Sequence, residues 1–81
     1  MNTYRIEFLG MIPNGWTVDD VFASIKSALP DAKVTKRKMG SRVSIIATLT
    51  APSATSAVSQ ANGAARYIPG FVHDLMWKEV K

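Results

Sequence analysis

Apolar residues recur along the chain with two different periods, and these divide it into six segments. From Thr3 to Leu9, Tyr4, Ile6 and Phe8 fall on one side of an extended chain, with Arg5 and Glu7 on the other. That period of two predicts a half-buried strand, and the turn cluster Pro13-Asn14-Gly15 closes it. Helical spacing then takes over: Val18, Val21, Phe22, Ile25, Ala28 and Leu29 form one stripe, with Ser24, Lys26 and Ser27 outside it. Thr17 stands where an N-cap belongs, and Asp20, three residues on, completes a short-armed capping box. Asp19 and Asp20 also suit the positive end of the helix dipole, and Pro30 stops the helix.

Residues 32–38 and 42–51 predict two strands around a turn at Met39-Gly40-Ser41. In the second, Val43, Ile45, Ala47 and Leu49 alternate with Ser44, Ile46, Thr48 and Thr50. The first has Val34 as its main apolar anchor among lysines. Pro52 breaks the pattern, and Ser53 caps a second helix expected over residues 53–68, with Ala54, Val58, Ala61, Ala65 and Ile68 as its stripe. This helix is poor by propensity, since Thr55, Ser56, Ser59, Asn62 and Gly63 all disfavour a helix interior, so packing must hold it. Were it not helical, a three-strand sheet with one helix would remain. Pro69-Gly70 ends it, and residues 71–80 supply a last strand carrying Leu75, Met76 and Trp77.

The order β-α-β-β-α-β over residues 1–81, read as a single domain, resembles the ferredoxin-like superfold, a split βαβ of the α+β class. The resemblance implies a four-stranded sheet in the order 4-1-3-2 with both helices on one face. It is a resemblance of architecture, and the superfold hosts many unrelated functions.

Families of this shape carry signatures that can be checked. Heavy-metal-binding domains use paired cysteines in the first loop, whereas Gly10–Trp16 has none and the chain has no cysteine at all. Acylphosphatase-like domains need a basic, glycine-rich phosphate cradle after the first strand, but Arg5 lies within the strand. RNA-recognition domains stack bases on aromatics of strands one and three, yet the open-face positions here are Arg5, Glu7, Arg42, Ser44, Ile46 and Thr48. Amino-acid-sensing domains have variable ligand loops, for which Gly10–Trp16 is the only candidate segment.

Composition narrows the chemistry further. With 81 residues, one histidine and six carboxylates, there is little material for a metal site or acid–base catalysis. His73 has no second ligand, adjacent Asp19 and Asp20 diverge on a helix, and the serines lack a base. The expectation is a non-enzymatic protein without cofactor or metal. The uncharged stretch from Val43 to Ala65 is too rich in Ser, Thr, Gln and Asn to span a bilayer, and no basic-then-apolar leader opens the chain. A soluble, cytoplasmic protein of a bacterial cell is expected.

Charge and exposed apolar positions supply two candidate surfaces. The net charge is +4, and five of the ten basic residues, Lys33, Lys36, Arg37, Lys38 and Arg42, fall within one predicted hairpin. Such a hairpin suits phosphates of a nucleic acid or an acidic protein, but lysines also protect sheet edges against unwanted pairing. On the expected open face, Ile46 and Leu9 meet either Leu75 and Trp77 or Met76 and Val80 of the last strand. That patch, extended by Trp16, points to a protein interface, with Ile46, Trp16, Met76 and Leu9 as its candidate residues; in the alternative, Trp16 and Trp77 close the ends of a thin core. The leading expectation is a small interaction module binding another protein or itself as a homodimer, through the open face or an edge strand. Its Ala/Ser/Thr-rich style resembles short bacterial or bacteriophage accessory proteins that act on a host protein. Non-specific nucleic-acid binding by the basic hairpin is the alternative.

Overall fold

A computed structural model describes residues 1–71 and 73–80. The elements are β1 (Asn2–Met11), α1 (Val18–Ala28), β2 (Lys33–Met39), β3 (Arg42–Ala51), α2 (Ala54–Ala65) and β4 (His73–Val80). All strand pairings are antiparallel, and the sheet order is β2-β3-β1-β4. Read from the other edge this is the expected 4-1-3-2, so the α+β architecture is consistent with the ferredoxin-like arrangement.

Local chemistry explains the most regular joints. The Thr17 side chain accepts from the Asp20 amide at 3.1 Å, and the Asp20 carboxylate accepts from the Thr17 amide at 2.9 Å. Both halves of the capping box therefore form, despite the shorter Asp arm. Between β2 and β3, Met39 pairs with Arg42 across Gly40-Ser41. Gly40 has φ +65° and Ser41 lies outside the positive region, as a two-residue II′ turn with glycine first requires.

The buried face of the sheet presents Tyr4, Ile6 and Phe8 of β1 and Val43, Ile45, Ala47, Leu49 and Ala51 of β3. Val21 and Ile25 of α1 and Ala57, Ala61, Ala64 and Ala65 of α2 join them in one cluster. Both helices thus cover the same face. Where α2 meets the sheet it does so through alanines, which let the helix approach closely and offset its weak propensity.

Four expectations need correction. The second helix spans residues 54–65, not 53–68; Ile68 is buried in the turns that follow, where its amide donates to the Ala65 carbonyl. The stripe of α2 is also rotated, with Ala57 and Ala64 buried and Ala54 and Val58 only half-buried. Alanines at positions 54, 57, 61, 64 and 65 fit two phases of a helix equally well, so periodicity has no contrast to choose between them. Phe71 is buried but precedes β4, and Val72 lies outside the described residues. β1 also runs two residues past Leu9, because Gly10 and Met11 still have ladder partners in Val43 and Arg42. Among the described residues no helix is long and apolar enough to cross a membrane.

Candidate functional site on the open sheet face

Paired residues of antiparallel strands project to the same face, so the register assigns every strand side chain to a side. Opposite the helices, five rows cross the sheet. The first is Lys33–Thr48–Arg5–Lys78, and the second Thr35–Ile46–Glu7–Met76. The third is Arg37–Ser44–Leu9–Asp74; Met39–Arg42–Met11 closes one end of the face and Thr50–Thr3–Val80 the other.

Leu9, Ile46 and Met76 therefore share this face, Ile46 and Met76 in one row and Leu9 in the next. None of them belongs to the core cluster. Met76 is exposed and Leu9 and Ile46 are half-buried; Met11 and Met39 are exposed in the row next to Leu9, and Val80 is exposed at the far end of the face. The open choice in the last strand is thereby decided. Leu75 pairs with Phe8 and Trp77 with Ile6, so both turn toward the helices, while Met76 and Val80 turn away. Trp16 does not join this surface. It is half-buried against the core, in the loop before α1, beside Ile12, Val18 and Lys38.

The five cations of the β2–β3 hairpin are divided between the two faces. Lys33, Arg37 and Arg42 lie on the open side. Lys36 and Lys38 pair with the buried Ile45 and Val43, so they lie on the helix side. There Lys36 forms an ion pair with Asp19 of α1, and its ammonium sits 4.8 Å from the centroid of the Phe22 ring. Long aliphatic stems let an edge lysine take a core-facing position and still keep its charge in water. The hairpin is accordingly not one basic patch.

A different set of cations does gather. Arg5 and Lys78, distant in sequence from the hairpin, share a row with Lys33, and Arg37 and Arg42 stand on the same face. Glu7 and Asp74 are its acidic members. Glu7 accepts a hydrogen bond from the hydroxyl of Ser44, which at 1% exposure is the one buried polar residue among those described. The expected basic strip missed Arg5 and Lys78, because only the pairing of β1 with both neighbours brings them beside Lys33.

The lone histidine has a local role. His73 is half-buried, its ring stacks on Phe71 with centroids 4.7 Å apart, and Nδ1 lies 3.1 Å from the Phe71 carbonyl. Among the described residues no three His, Asp or Glu side chains are grouped to hold a metal ion. Comparison with protein-family models matched none to this chain, and comparison with curated proteins returned no match.

Proposed function

We propose that this chain is a small non-enzymatic interaction module that docks another protein on the open face of its sheet. The observation that carries the reading is the apolar set on the face away from the helices, with Leu9 and Ile46 half-buried, Met76 exposed, and Met11 and Met39 exposed in the row next to Leu9. Contiguous apolar surface on a monomer marks interaction sites, and methionines adapt to a partner's contour. The surrounding cations, Arg5, Lys33, Arg37, Arg42 and Lys78, favour a partner with an apolar centre and an acidic rim.

Affinity capture from a cell extract tests this reading when three baits are compared. The native chain should retain a protein that Ile46→Asp loses and that Ser27→Asp, altered on the exposed side of α1, still retains. Equal capture by all three baits rejects it.

A second reading, non-specific nucleic-acid binding, is favoured by the row Lys33–Arg5–Lys78. The face carries no aromatic side chain, so binding would rest on phosphates alone and fall steeply with salt. Anisotropy of labelled single-stranded and duplex DNA at low salt, with Arg5→Gln and Lys33→Gln for comparison, checks it. Absence of binding by the native chain rejects it.

A further inference from the structure

Both outer strands of the sheet leave backbone donors and acceptors available for pairing, but their side chains answer very differently to a second copy of the chain. In an antiparallel ladder alternate residues direct both N–H and C=O to the same neighbour, so β4, paired only with β1, turns half of these groups outward. We propose that β4 pairs antiparallel with β4 of a second copy, in a register centred on Met76, to make one continuous sheet of two chains. This rests on an edge rather than on the open face, and it leaves that face uncovered for the partner described above.

The pattern His73-Asp74-Leu75-Met76-Trp77-Lys78-Glu79 is complementary to its own reverse. Centred on Met76, the two-fold pairing sets Asp74 opposite Lys78, Leu75 opposite Trp77 and His73 opposite Glu79, each twice. The faces agree as well. Leu75 and Trp77 are both on the helix side, and Asp74 and Lys78 are both on the open side, so a two-fold axis normal to the sheet keeps all four helices on one surface. Cross-strand pairs of opposite charge, or of an aromatic with an aliphatic residue, are the favourable contacts of antiparallel sheets.

Neighbouring registers lose this match. Sliding one strand past the other by one residue sets Asp74 against Trp77 or against Glu79, the latter a repulsion, and it opposes residues of different faces. A shift of two sets Asp74 or Lys78 against Met76. Trp77 supplies the apolar gain: it is 52% exposed, edge-on to Tyr4 with centroids 6.1 Å apart, and lies beside Ala54, Thr55 and Val58 of α2. The partner's Leu75 would cover part of that exposed ring. The strand is short and the interface correspondingly small, so the dimer is expected to be concentration-dependent.

Sedimentation equilibrium over a broad concentration range at low salt tests the proposal. The native chain should move from 8.8 kDa toward twice that mass and no further. Asp74→Lys and Lys78→Asp, both at exposed positions, should each weaken dimerisation by about tenfold or more, because the two-fold axis makes every change count twice. The double variant Asp74→Lys/Lys78→Asp should restore it. Ile46→Asp should leave it intact, which separates failure of the edge pairing from failure of the open-face reading. A native chain that stays monomeric at all concentrations overturns the proposal, as do single variants that still dimerise, a folded double variant that does not, dissociation by Ile46→Asp, or open-ended growth beyond the dimer.

Discussion

The two edges of the sheet are built from opposite devices. β2 carries Lys33, Lys36, Arg37 and Lys38 and no acid, so self-pairing centred anywhere from Thr35 to Lys38 brings at least two cations face to face. It also places Lys36 and Lys38 on the core side, the inward-pointing charge that natural sheets use to keep an edge from being extended. β4 mixes acid, base and large apolar residues in an order that matches its own reverse. Of the two uses the sequence offers for the hairpin cations, binding a polyanion or guarding a sheet edge, the position of β2 at the edge favours the second. The edge with fewer charges, and of both signs, is the one proposed to accept a second copy.

Substitutions separate what each edge contributes, and the largest effect should be common to both. Phe8 is fully buried in β1, the strand that carries β4 on one side and β3, and through it β2, on the other. Phe8→Ala should lower unfolding stability by about 3–5 kcal/mol in chemical denaturation and loosen both edges together. A smaller loss confined to β2 is expected from Val34→Ala, since Val34 is the one buried residue of that strand. The cost should be about 2 kcal/mol, with dimerisation through β4 unchanged. Smallest of the three is Asp19→Asn, which removes the carboxylate partner of Lys36. With side-chain exposures of 40% and 80%, that ion pair should contribute less than about 1 kcal/mol, and the difference should shrink further at high salt. A large loss on Asp19→Asn would mean that β2 is held by its charges rather than merely guarded by them.

How much of this is legible in the sequence depends on whether the cause is local. The capping box at Thr17 and Asp20, the Gly40 turn and the full extent of β3 can be read from the residues, because neighbours in sequence determine them. The sheet order follows from the element order once the ferredoxin-like arrangement is taken up. Facing is different. Nothing in His73–Val80 alone says whether Met76 or Trp77 turns outward, since both alternating sets contain a large apolar residue; the register against β1 decides it. The same holds for Lys36 and Lys38, whose core-side placement is set by their partners Ile45 and Val43. In α2 the uniformity of the alanines hides which of them is inside. The candidate face was therefore half legible: Leu9, Ile46 and Met76 come together there, Trp16 belongs to the core side, and Arg5, on the open face by alternation alone, meets Lys33 and Lys78 only through the topology.

Amide hydrogen exchange, followed residue by residue as protein concentration rises, tests the contrast between the edges most directly. The outward amides of Asp74–Lys78 in β4 should slow progressively as the chain dimerises, while those of Lys36–Lys38 in β2 exchange at a constant rate. Protection that grows at β2, or exchange at β4 indifferent to concentration, would contradict the assignment of one closed edge and one open one.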